Sequence, residues 1–270
     1  MQMKNEQSTK KAKKRTILQA EHTSVAFGGF YAINDFSIEI MEGELHFLIG
    51  PNGAGKTTFL DVVCGKTKQS QGTLMFKEKH DLTKLKEFEI VREGIGRKFQ
   101  APSVFPNLTV WENLELSMKQ DKRLFSILKA KSTKEERAQI TEMLELIGLL
   151  PHKDEMARLL SHGQKQWLEI GMVMMQKPDL LMLDEPIAGM TEEEEEKTGE
   201  LLLKLKEQCA IIVVEHDMEF VRKYSEKVTV MHEGQLLCDG PMEIVQANER
   251  VMEVYLGRKG EAKDVATTTA

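Results

Sequence analysis

The chain has no apolar run approaching the roughly 18 residues of a membrane-spanning helix, so it is not expected to cross a bilayer itself. Cysteine is scarce: Cys64, Cys209 and Cys238 are widely spaced and set among apolar neighbours. That argues against a disulfide scaffold or a zinc site and suits core thiols in a reduced compartment. Basic residues are not in excess. The formal net charge of −6 speaks against wholesale nucleic-acid binding. Lysines do cluster at the front (Lys4, Lys10, Lys11, Lys13 and Lys14, with Arg15), but no apolar stretch follows them, so they are not expected to form a signal peptide. Residues 1–15 are expected to form a solvated basic tail, and residues 259–270 a second frayed tail. No internal repeat is visible.

What is present is an alternation of strands and helices. "ILQAEHTSVAF", "GGFYAINDFSIEI" and "GELHFLI" read as strands over residues 16–49. "KTTFLDVVC" reads as a helix ending at Gly65. The middle of the chain, about 101–175, opens on the proline-punctuated "APSVFPNLTV" and continues with helical patterns over 111–119, 134–147 and 163–175. Ile140, Met143, Leu144 and Ile147 form one helical stripe. Residues 119–134, rich in lysine, suggest a surface excursion. From 178 onward the alternation resumes, with apolar strands in "PDLLMLDEP" and "CAIIVVEHD", a helix over 191–207, and a hairpin turning at Glu233-Gly234. Strand–helix–strand order with apolar strands predicts a largely parallel sheet flanked by helices, with the helical middle inserted into it. The acidic run "TEEEEEKTG" fits a helix start better than a metal site: Thr191 and Glu194 form a capping box, and first-turn glutamates suit the helix dipole.

Residues 50–58, "GPNGAGKTT", fit a phosphate-binding loop between a strand and a helix. Gly50, Gly53 and Gly55, with Pro51, Asn52 and Ala54, let backbone N–H groups turn inward around phosphate oxygens. Lys56 supplies a charge to the β- and γ-phosphates, Thr57 a hydroxyl to Mg²⁺, and Thr58 a further phosphate contact. "LLMLDEP" ends an apolar strand in two carboxylates. Asp184 is expected to hold Mg²⁺, and Glu185 to polarise the attacking water. His216 ends another apolar strand, beside the crevice where an open α/β sheet binds its ligand, and suits a γ-phosphate contact. Gln100 joins the core to the helical insert, and its amide can reach metal or attacking water.

One more stretch resists a purely structural reading. "LLSHGQKQWLEIGM" starts a helix with Ser161 as N-cap and a bare Gly163 in the first turn, flanked by His162 and Gln164. Nothing in the chain's own sequence obviously needs this anion-binding helix start, because residues 50–58 already cradle phosphate. The economical expectation is a second subunit, with two ATP molecules sandwiched between two chains.

Together, residues 50–58, Gln100, "LSHGQ" at 160–164, "LLMLDE" at 180–185 and His216 resemble, in order and spacing, the ATPase subunits of ABC transporters. The resemblance covers roughly residues 16–258. It implies a P-loop NTPase core of α/β class (16–100 and 176–258) with an antiparallel β subdomain and an inserted α-helical subdomain over about 101–175. It further implies ATP and Mg²⁺ as ligands, Thr57, Gln100 and Asp184 around the metal, and a head-to-tail dimer. In that dimer Ser161, His162, Gly163 and Gln164 would face the partner's γ-phosphate. An aromatic residue stacking on adenine matches Phe27, with Tyr31 as the fallback.

Two positions depart from the usual pattern: His162 stands where glycine is common, and Thr191 where an aspartate is common. These departures, with "AGMT", "RKFQAPSVF" and "NERVMEVYLG", resemble subunits of importers for branched-chain amino acids and their relatives, and within them the urea importers. Such importers pair two ATPase subunits, often paralogues, with two permeases and an external binding protein. The implied place is peripheral, at the cytoplasmic membrane face, touching the membrane only through the permeases. "APSVFPNL" and the insert would receive the permeases. The expected function is the ATP-hydrolysing motor of a urea or short-amide importer. The alternatives are a branched-chain amino acid importer, a lipopolysaccharide-type exporter and a soluble ABC ATPase.

Overall fold

The computed structural model describes residues 14–98, 103–118 and 133–254. Gln100, the basic tail up to Lys13, most of the 119–134 excursion and the expected tail at 259–270 lie outside the described residues.

The described residues form two sheets. The first is antiparallel and built from β1 (Thr16–Phe27), β2 (Phe30–Met41), β4 (Gln71–Phe76) and β5 (His80–Asp81), in the order β2-β1-β4-β5. The second runs in the order β10-β9-β3-β8-β7-β6. Its strands are β3 (Leu45–Ile49), β6 (Ile95–Lys98), β7 (Leu180–Asp184), β8 (Ala210–Val214), β9 (Lys227–His232) and β10 (Gln235–Gly240). All its pairings are parallel except the β9–β10 hairpin. That hairpin turns on Glu233 and Gly234, both at positive φ.

The apolar runs of β3, β7 and β8 are explained by burial on both faces. Alternate residues point to opposite sides. Leu45, Phe47, Ile49, Leu181, Leu183, Ile211 and Val213 belong to one core; Leu48, Leu180, Met182, Ile212 and Val214 belong to the other. The second core lies between the parallel sheet, α1 (Lys56–Val63) and the antiparallel sheet, and contains Phe36, Phe59 and Phe76. Phe36 and Phe59 meet edge to face at 5.1 Å between centroids. Each such buried side chain contributes about 1.5–3 kcal/mol. A short helix α2 (Glu87–Glu93) leads into β6.

The first core is covered by α3 (Val110–Ser117), α4 (Lys134–Leu146), α5 (His162–Met174), α6 (Glu192–Leu205) and α7 (Met218–Tyr224). The α4 stripe of Ile140, Met143, Leu144 and Ile147 is buried there. A last helix, α8 (Met242–Ala247), packs beside β10. Cys209 and Cys238 are buried and Cys64 is half-buried; all three are free thiols.

Candidate nucleotide-binding site

The β3–α1 loop can exist only with glycine at its tightest points. Gly50 has φ 152°, and a Cβ there would come 2.2 Å from the Met231 carbonyl oxygen. Gly55 caps α1 at φ 104°, and a Cβ there would come 2.5 Å from the Ala32 oxygen. No side chain caps α1, so its first N–H groups, with the helix dipole behind them, are arranged to suit an anion. The Lys56 ammonium folds back over the loop and donates to Gly50 O at 2.6 Å and Pro51 O at 3.1 Å. Asn52, Gly53, Ala54, Gly55, Lys56, Thr57 and Thr58 line an open cleft of about 390 Å³, together with Phe27, Phe30, Ala32 and Glu185.

The two aromatics reach the cleft through the β1–β2 hairpin. Gly28 and Gly29, both at positive φ, make its turn, and Phe27 pairs with Phe30 across it. Opposite residues share one face, so both rings project together, 55% and 70% exposed. Tyr31, the fallback for Phe27, pairs with Ala26 on the other face and does not line the cleft.

Asp184 ends β7 and Glu185 follows it directly. Asp184 is buried, and its Oδ1 has no hydrogen-bond partner among the described residues. Its other oxygen lies 3.4 Å from Arg97, which also grips Asp61 of α1 at 2.5 Å. Burial pushes the Asp184 carboxyl above its ordinary range, against the pull of Arg97 and of the Thr57 hydroxyl. An orphaned carboxylate oxygen beside a threonine hydroxyl is a donor set that suits a hard cation such as Mg²⁺.

Glu185 sits in the left-handed region, φ 49°, which turns its side chain out of the strand and into the cleft. His216 Nδ1 lies 3.6 Å from Glu185 Oε1, beyond hydrogen-bond length. Beneath them Glu215, buried and raised in pKa by that burial, accepts from the backbone N–H of Ile187 at 3.3 Å and of His216 at 3.1 Å. It thereby ties the His216 strand end to the loop that follows Glu185.

Ser161, His162, Gly163 and Gln164 do not line this cleft. They begin α5 with a reciprocal capping box: Ser161 Oγ accepts from Gln164 N at 3.2 Å, and Gln164 Oε1 from Ser161 N at 2.9 Å. The helix start does have a partner in its own chain, against the sequence expectation. Glu194, which forms the expected capping box with Thr191, also accepts the Ser161 hydroxyl proton at 2.9 Å. His162 Nε2 donates to Ala188 O at 3.0 Å. Both departures from the common pattern, His162 and Thr191, thus help bind the start of α5 to the segment between β7 and α6.

Sequence reasoning missed Phe30, Arg97, Glu194 and Glu215 as neighbours of the named residues. Only Phe30 carried a signal, the symmetric "FGGF" of a two-residue hairpin turn. Arg97 meets Asp61 and Asp184, Glu194 meets Ser161, and Glu215 meets Ile187 only across the fold.

Residues 33–188, more than half of the chain, match the family model described as ABC transporter. The chain is 36% identical over 250 residues to the high-affinity branched-chain amino acid transport ATP-binding protein LivG of Salmonella typhimurium, and equally to that of Escherichia coli K12. Each match covers 89% of this chain and 98% of the relative. It is 32% identical to the corresponding protein BraF of Pseudomonas aeruginosa, over 90% of this chain and 98% of that one. Among solved structures it is similar to an ATP-binding cassette of an ABC transporter in its ADP conformation. The TM-score is 0.77 at 32% identity, over 90% of this chain and 99% of that one. A nucleotide-free ATP-binding cassette from an ABC transporter matches with TM-score 0.76 at 30% identity, over 89% and 98%. With the phosphate-binding loop, the paired carboxylates and these similarities together, the chain belongs to the ABC transporter family, as an ABC ATPase of P-loop NTPase fold.

Proposed function

We propose that the chain is the ATP-hydrolysing subunit of a branched-chain amino acid importer. The observation that carries the reading is the cleft in which Lys56, Thr57, Thr58 and Glu185 converge below Phe27 and Phe30. The loop N–H groups and Lys56 hold the phosphates, and Phe27 stacks on adenine. Thr57 and Asp184 hold Mg²⁺, which when bound neutralises phosphate charge. Glu185 takes a proton from the attacking water, and His216 contacts the γ-phosphate. Gln100 is assigned to metal and water; it lies outside the described residues.

Ser161, His162, Gly163 and Gln164 face the γ-phosphate held by a second ATPase subunit. ATP closes the pair, closure moves two permeases, and hydrolysis resets them. A groove of about 520 Å³ beside α2 and α5, with exposed Phe88 and Val91 on its rim, suits the permease contact. Among the described residues no helix is long and apolar enough to cross a membrane, which agrees with attachment at the cytoplasmic face through the permeases.

The substrate class rests on similarity. The reported relatives are named for branched-chain amino acid transport, which supports leucine-like cargo; the urea expectation finds no support among them. The test is uptake of labelled leucine and labelled urea by a strain lacking this chain, complemented with wild type or Glu185→Gln. Leucine uptake is expected to depend on the chain and to return only with wild type. Loss of urea uptake alone would restore the urea reading, and no change in either would reject the importer.

A further inference from the structure

The start of α5 is already occupied by an anion from its own chain. Glu194 Oε1 receives the Ser161 hydroxyl proton at 2.9 Å. A Cβ at Gly163 would stand only 2.5 Å from the Glu194 carboxyl carbon, so the carboxylate rests directly on the bare glycine. Serine has one hydroxyl proton. Since Ser161 Oγ accepts from Gln164 N, that proton is its only donor, and Glu194 holds it.

Glu194 is anchored from behind as well. Its Oε2 accepts from Thr191 N at 3.1 Å, and the Thr191 N–H, with help from the Ser161 hydroxyl, holds the carboxyl below its ordinary pKa against its partial burial. Glu192, Glu193 and Glu195 share the same helix turn and add charge of the same sign.

We infer that the Glu194 carboxylate is an intramolecular competitor for the partner subunit's γ-phosphate, and that it sets the ATP concentration at which the two-subunit sandwich closes. The inference rests on the reading of Ser161–Gln164 as partner-facing. The reason is exchange. A phosphate arriving at Ser161 and Gly163 meets a carboxylate on the same hydroxyl and the same glycine, and two anions cannot share that place without repulsion. Closure must turn Glu194 away or loosen its hold on Ser161.

Glutamine at position 194 separates this role from helix capping, because glutamine serves at the third helical position of a capping box as glutamate does. The experiment is analytical ultracentrifugation of the full chain carrying Glu185→Gln, titrated with MgATP, with and without Glu194→Gln. Removing the charge is expected to lower the half-dimerising ATP concentration several-fold. Affinity of the dilute monomer for a fluorescent ATP analogue should stay unchanged, because Glu194 does not line the cleft. An equal or higher dimerisation midpoint in the double variant would overturn the inference. So would a matching shift in monomer affinity, which would move the effect to the cleft. Absence of any ATP-dependent dimer in both chains, alone and mixed with the second ATPase subunit, would remove the partner-facing reading, and the competitor with it.

Discussion

The Arg97 guanidinium lies 3.4 Å from Asp184 Oδ2, with the two side chains only 5% and 1% exposed. Its other end grips Asp61 of α1, so one cation joins the helix that follows the phosphate loop to the strand that presents Asp184 and Glu185. Removing one member of a buried ion pair leaves an uncompensated charge.

Arg97→Met is therefore expected to destabilise the fold by about 3 kcal/mol near neutral pH. Burial already raises the Asp184 carboxyl, and without Arg97 it rises further. A carboxyl raised in the folded state binds its proton there at a pH where the unfolded chain has lost it. Its stability contribution is present at low pH and is lost as pH rises through the folded-state value. Urea denaturation of variant and wild type should show a gap that is wider at pH 7 than at pH 5. A gap independent of pH would mean that Asp184 is not the group left exposed to the loss.

Phe27→Ala is expected to weaken nucleotide binding roughly five- to ten-fold, the scale of one stacking contact. Tyr31→Ala should leave affinity unchanged, since Tyr31 lies on the opposite face of the hairpin. Titration with a fluorescent ATP analogue reads both. A larger effect from Phe30→Ala than from Phe27→Ala would move the adenine platform to Phe30.

Gly199 stands inside α6, where alanine would ordinarily gain about 1 kcal/mol of helix stability. A Cβ there would lie 2.1 Å from the Tyr224 ring. That ring packs tilted against Phe220, 4.9 Å between centroids, and donates to Glu196 O through its hydroxyl, so it cannot simply swing aside. Overpacking costs about 1–3 kcal/mol, so after the helix gain Gly199→Ala should lose up to about 2 kcal/mol net and lower the thermal midpoint. A raised midpoint would show that the ring yields.

Much of this molecule was legible in the sequence because local chemistry writes local structure. The glycines of residues 50–58 announce a loop that no side chain can enter, and Gly50 and Gly55 do stand against backbone oxygens. The α4 stripe announces a buried face, and the strand–helix order announces a parallel sheet. Thr191 and Glu194 announce a helix cap, three residues apart.

Contacts between distant segments carried no such signal. Nothing in "TEEEEEKTG" says that Glu194 will rest on Gly163, 31 positions earlier in the chain. Nothing in "IGRKFQ" says that Arg97 will stand between Asp61 and Asp184. By itself the sequence determined the elements, the phosphate loop and the residue types available for catalysis, because backbone conformation and periodicity depend on near neighbours. Only the tertiary structure decided which charges meet, because strands far apart in the chain must first pair before their ends can share a cleft.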